Sequence, residues 1–224
     1  MDQVNLPFAL NDKLLLTNLL GEQNQAALSQ IDQHLSGKCS GVVYIAGERS
    51  SGKTHLLQAG VMAAMDQALS ALYLDLAQTL PAGFLHNLDN YDWIAIDNID
   101  LADTEQQQAL FDLYNRVKDS SRTLIVSAMQ LPAQLSLLID LKTRLSQALV
   151  FQLATLDDEQ KLQVLNTKLG HKGLKIEAKV LTYLLKHHSR DLSELVEMIE
   201  QLDKLSLQQK KAITIPFVKQ WLKA

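Results

Sequence analysis

Apolar positions along the 224-residue chain change their period near residue 155. Before that point, short apolar runs alternate with longer stretches at helical spacing. The runs at 42–46 (VVYIA), 71–76 (ALYLDL), 93–97 (WIAID), 123–128 (TLIVSA) and 149–153 (LVFQL) predict five β-strands. Helices are predicted at 23–35, 53–68, 104–120 and, shorter, around 141–145. The second carries Leu56, Leu57, Val61, Ala64 and Met65 on one face, and the third Ala109, Leu110, Leu113, Tyr114 and Val117. Pro81 and Gly83 mark an irregular or short helical connection. Strands separated by helices of this length favour a five-stranded parallel sheet between helices, with ligands at the strands' C-terminal ends.

After residue 153 no further strand is expected. Helices are predicted at 157–169, 177–188, 191–205 and 215–223. Asp157 with Gln160, and Asp191 with Glu194, have capping-box spacing, and Pro216 suits the first turn of the last helix. The expected organisation is a lead-in over 1–22, an α/β domain over 23–154 and a small all-helical domain over 155–224.

Between the first strand and the second helix stands GERSSGKT, residues 47–54. This is a P-loop in the strand-loop-helix setting that the motif requires. Gly47 and Gly52 allow backbone amides to approach phosphate oxygens, with Ser50 and Ser51 between them. Lys53 carries charge to the outer phosphates, Thr54 offers a hydroxyl to Mg²⁺, and the helix N-terminus adds partial positive charge. His55 is counted with the cofactor-binding residues as a polar group on the helix surface rather than a catalyst. Asp97, ending WIAID at a strand tip expected beside the P-loop strand, is the second metal-positioning group. The next residue, where hydrolases commonly place a water-activating acid, is Asn98, and an amide takes no proton as a carboxylate does. Asp100 reaches the site only if the turn allows it. Slow hydrolysis by the chain alone is the expectation.

Composition narrows the partners. A net charge of −4 and a pI near 5.8 argue against general affinity for nucleic acid. Lys210 and Lys211 are too small a cluster to change that, and His187 and His188 lack companions at metal-ligand spacing. Cys39 is the only cysteine, which fits a reducing cytoplasm, and neither a signal peptide nor a membrane-length apolar run is present. Trp93 and Trp221 read as packing residues.

Two arginines bear on function: Arg144 in DLKTRL, on the short helix after the fourth strand, and Arg190 in SRDLSEL, opening a helix of the second domain. From there Arg190 can reach back to bound phosphates and report their state. With the P-loop, Asp97 and an exposed Arg144, the runs IDNID (96–100), FDLYNR (111–116), LKTRL (141–145), RDL (190–192) and TIPFVK (214–219) resemble the AAA+ superfamily. Within it the chain is most similar to the DnaA-related initiator branch, and there to the Hda family of DnaA regulatory inactivators, over nearly its whole length.

That resemblance implies an AAA+ core with a helical lid, holding ADP (or ATP) and Mg²⁺. It implies a protein that joins the DNA-loaded sliding clamp of the replicative polymerase, promotes hydrolysis of DnaA-bound ATP, and so represses re-initiation of replication. Arg144 matches the family's arginine finger, acting in trans on DnaA, and Arg190 its sensor 2 arginine, acting in cis. Gln3, Leu6, Pro7 and Phe8 resemble the family's clamp-binding peptide. Pro7 fixes its own φ and biases Leu6 toward extended backbone, lowering the ordering cost. Met129 stands where relatives carry a polar sensor 1 residue, which further lowers the expectation of hydrolysis in cis. The chain stops soon after the lid, so sequence-specific DNA binding is not expected; self-association is left open. An autonomous AAA+ ATPase, such as a helicase loader or remodelling factor, is the alternative, and a P-loop kinase for a small molecule a more distant one.

Overall fold

Strands β1 (Gly41–Ala46), β2 (Ala71–Asp75), β3 (Trp93–Asp97), β4 (Thr123–Ala128) and β5 (Leu149–Gln152) form one sheet in the order β2-β3-β4-β1-β5. Every recorded pairing is parallel. The structure is a computed structural model that describes residues 10, 14–19, 21, 24–88, 90–189 and 191–222. The chain divides into two units, Met1–Thr155 and Leu156–Ala224.

Side chains alternate across a strand, so the apolar runs feed two cores at once. Tyr44, Leu74, Ile94, Ile96 and Val126 face helices α3 (Thr104–Lys118) and α4 (Ile139–Ser146). Val43, Ile45, Tyr73, Trp93 and Ile125 face α1 (Gln25–Leu35) and α2 (Lys53–Asp66). β1, β3 and β4 are buried along their whole length, as a sheet covered on both faces requires. β5, at the edge, leaves Leu149 and Val150 exposed.

Some element ends differ from expectation by a few residues. α2 stops at Asp66, two residues short of the expected end, because Ala68 takes φ +61° and the amides of Gln67 and Leu69 close on Ala64 O. β2 stops at Asp75, although Leu76 N still donates to Asp97 O at 3.1 Å. α3 begins at a capping box between Asp103 and Gln106 that the sequence reading missed.

The second unit is α5 (Asp158–His171), α6 (Ala178–His187), α7 (Leu192–Gln209) and α8 (Ile215–Trp221) around Leu165, Leu181, Leu184, Leu195, Leu202 and Val218. α7 extends past its expected end at Leu205 to Gln209. Asp157 and Gln160 form both arms of the expected capping box. At Asp191 only one arm forms: its carboxylate accepts from Glu194 N at 3.2 Å, while Asp191 N donates to Ser189 Oγ at 2.9 Å and Glu194 takes the Ser189 hydroxyl at 2.7 Å. Thr214 caps α8 through Phe217 N, just before Pro216. Each buried leucine here contributes about 1.5–3 kcal/mol and a cap about 1 kcal/mol, so packing holds the unit while caps set where helices start. Asp157→Ala is expected to lower stability of this unit by about 1 kcal/mol in urea unfolding monitored on Trp221, with the fold retained.

Candidate nucleotide site

The loop leaves β1 with Gly47 N donating to Ala128 O at 3.2 Å, so it starts across the end of β4. Ser50 takes φ +60°, and Gly52, at φ +101°, is the residue before α2. A Cβ on Gly52 would lie 2.7 Å from Leu19 Cδ1, and one on Gly47 would collide with Ser51 Oγ. At Gly47 the close approach of Ser51 favours glycine, and at Gly52 the left-handed backbone does, since Leu19 Cδ1 is the movable end of a side chain. Lys53 Nζ donates to Gly47 O at 2.7 Å and Glu48 O at 3.0 Å. Burial pushes the Lys53 pKa below the usual lysine value, against the opposing fields of Asp97 and Asp100. Ser51 is buried and, among the described residues, its Oγ has no hydrogen-bond partner. The loop therefore gathers a desolvated cation and an uncommitted hydroxyl where an anion would be welcome.

Asp97 has no exposed surface and is the meeting point of four donors. Thr54 Oγ1 donates to Oδ2 at 2.6 Å and Tyr73 OH to the same oxygen at 3.1 Å. Ser127 Oγ and Asn98 N, the latter at 3.1 Å, donate to Oδ1. These donors come from α2, β2, β4 and the turn after β3 itself. Asp97 does not lie beside the P-loop strand, as the sequence reading expected: β4 separates β3 from β1. The two halves still meet, because the loop crosses the tip of β4 and delivers Thr54 to the carboxylate.

Asn98 adopts φ +57°, and its Nδ2 donates to Asp75 Oδ1 at 2.7 Å. Its side chain is thus committed to the end of β2 rather than to water chemistry. Asp100 lies on the short 3₁₀ turn Ile99–Leu101; its Oδ1 is buried without a hydrogen-bond partner among the described residues, and its charge supports that of Lys53. His55 Nε2 meets Leu15 O at 2.7 Å, which ties α2 to the lead-in segment. Met129 follows β4 and is half-exposed, whereas Ser127, two residues earlier, is the β4 side chain that reaches Asp97. Arg144, expected to be exposed, is half-buried in the last turn of α4, its guanidinium 6.0 Å from the Phe111 ring centre. The attraction of a guanidinium to an aromatic ring accounts for the difference. Gln3, Leu6, Pro7, Phe8 and Arg190 lie outside the described residues.

Tyr73 and Ser127 were missed. Each is a hydroxyl inside an otherwise apolar buried strand, where a partner is obligatory, and that was the available signal. Burial, with the neighbouring Asp97 charge, raises the Tyr73 pKa and keeps the phenol a donor. The donor set fits Mg²⁺: one carboxylate and one hydroxyl, hard oxygens that a cation with phosphate and water ligands would share. Among the described residues no group of three or more His, Cys, Asp or Glu could hold a metal by itself, and no helix is long and apolar enough to cross a membrane.

A family profile described as the bacterial DnaA ATPase domain matches residues 10–152, and one described as the Hda lid domain matches 158–222. An uncharacterized protein of Haemophilus influenzae is 34% identical over 226 residues, covering 98% of each chain. Domain III of Thermotoga maritima DnaA superposes with a TM-score of 0.81 at 21% identity, over 96% of this chain and 98% of that one. AMPPCP-bound DnaA from Aquifex aeolicus gives 0.70 at 22% identity, over 89% and 67%. The Thermotoga maritima RuvB Holliday junction branch migration motor gives 0.67 at 15% identity, over 93% and 71%.

Asp97→Asn places an amide N–H₂ against hydroxyl donors. It is expected to lower stability by about 1–3 kcal/mol without nucleotide present, read as a lower urea midpoint with unchanged slope.

Proposed function

Since the chain belongs to the bacterial DnaA ATPase-domain family of AAA+ proteins and carries an Hda lid domain, we propose that it is a nucleotide-holding regulator of DnaA rather than an enzyme in its own right. ADP or ATP occupies the loop of Gly47, Ser50, Ser51, Gly52, Lys53 and Thr54, with Mg²⁺ held between Thr54 and Asp97. By the family resemblance, Arg190 is the sensor 2 arginine, acting in cis. Binding of AMPPCP by the structurally similar Aquifex DnaA supports the cofactor class.

The observation that carries the regulatory reading is the engagement of Asn98. The residue after Asp97 is an amide spent on Asp75, so no carboxylate stands immediately after Asp97, the position where hydrolases commonly place a water-activating acid. Activity is instead delivered outward through Arg144. Its helix, α4, exposes Ile139 at its start, 81% open to solvent, which supports a partner-facing surface. On DnaA-bound ATP, water adds to the γ-phosphorus, the bond to the β-phosphate oxygen breaks, and ADP and phosphate leave. An arginine supplied from outside stabilises the charge of that transfer and raises the rate by about 10³–10⁵. The N-terminal Gln3, Leu6, Pro7 and Phe8 anchor the protein to the DNA-loaded sliding clamp in the cytoplasm, and the outcome is repression of replication initiation.

Arg144→Ala is expected to leave nucleotide and clamp binding intact while removing at least about 10²-fold of the stimulation of DnaA hydrolysis, measured by release of labelled phosphate. Unchanged stimulation would remove Arg144 from the role. Leu6→Ala with Phe8→Ala is expected to weaken clamp binding, read by surface plasmon resonance, with the melting temperature unchanged. Equal affinity would defeat the peptide assignment.

A further inference from the structure

Two donors share one oxygen of the buried carboxylate. Thr54 Oγ1 reaches Asp97 Oδ2 at 2.6 Å and Tyr73 OH reaches it at 3.1 Å. Thr54 spends its one hydrogen on this contact and keeps both lone pairs, so its hydroxyl can ligate a cation while still donating to Asp97. Tyr73 has no part in ligation and acts on the carboxylate alone. It is 6% exposed, stands on β2, and packs among Trp93, Ala95 and Ile125 on the α1–α2 side of the sheet. Its ring is fixed by that packing, and its hydroxyl approaches Asp97 from the side opposite the loop strand, since β2 and β1 lie on opposite sides of β3 in the sheet order.

Ser127 does for Oδ1 what Tyr73 does for Oδ2. It lies on β4, the other neighbour of β3, and is fully buried. Asp97 is thus clamped from both adjacent strands by hydroxyls, one on each oxygen. A carboxylate sealed from water retains its charge and its orientation only while its lone pairs are occupied.

We propose that Tyr73 and Ser127 are positioning residues for the metal site: the flanking strands' hydroxyls hold the Asp97 carboxylate in its Mg²⁺-facing orientation beside Thr54. This rests on the nucleotide site proposed above and deepens it. Such outer partners typically change metal affinity by about 10–100-fold when removed. The consequence is a specific coupling. Tyr73→Phe and Ser127→Ala weaken the part of nucleotide affinity that depends on Mg²⁺ and spare the part that Lys53 and the loop amides supply alone.

The test measures binding of a fluorescent ADP analogue to the full chain and to each variant, in excess Mg²⁺ and in EDTA. The parent is expected to bind more tightly with Mg²⁺. Tyr73→Phe is expected to lose about tenfold of that difference while its affinity in EDTA stays within about twofold of the parent. Ser127→Ala removes a small polar atom without opening a large space, so it repeats the test if the phenylalanine variant folds poorly. The Mn²⁺ electron paramagnetic resonance signal gives a second reading, with more free Mn²⁺ expected for either variant at equal nucleotide. A variant whose Mg²⁺ difference equals the parent's, or whose affinity falls equally in both buffers, overturns the positioning role. A parent that binds no analogue in either buffer overturns the nucleotide site itself, and this inference with it.

Discussion

A buried carboxylate organises the first unit. Asp97 lies at the end of a strand with no exposed surface, and an ionised group there is tolerated only if its oxygens are occupied. Each hydrogen bond to such a group is worth about 1.5–3 kcal/mol, so the four donors to Asp97 offset a desolvation cost of several kcal/mol. Meeting that requirement draws α2, β2, β4 and the turn after β3 to one point. The parallel sheet then has its polar groups at the C-terminal ends of its middle strands, where the P-loop also arrives.

The same geometry divides labour among the acidic and amide groups around the site. Asp97 keeps Thr54, Asn98 is spent on Asp75, and Asp100 adds negative field near Lys53 while its Oδ1 has no hydrogen-bond partner among the described residues. On the proposed reading, that site holds a phosphate chain more than it splits one. The proposal leaves chemistry on a partner's nucleotide to a cation on another element, and Arg144, beside the Phe111 ring at the end of α4, is the residue the family resemblance assigns to it.

Much of the fold was legible in the sequence, because its signals are local. The run WIAID became β3 and TLIVSA became β4 at their expected ends, since short apolar runs flanked by turns favour buried strands. Asp157 and Gln160 announced a helix start through a contact three residues long. Features set by pairing between distant segments were not legible. Strand order put β4 between β3 and β1, which no local pattern records, and Tyr73 and Ser127 converge on Asp97 only through that order. The P-loop itself was read residue by residue, but the partner of His55 and the packing of Arg144 depend on the lead-in segment and on α3.

The most direct measurement is a reconstitution in which phosphate release is followed from DnaA-bound ATP mixed with this protein, nucleotide, sliding clamp and DNA, each component being left out in turn. Rapid hydrolysis only when all are present, with little from the chain alone, is the expected result. Hydrolysis by the chain alone at a rate equal to that of the full mixture would contradict a protein that holds its own nucleotide and acts on another's.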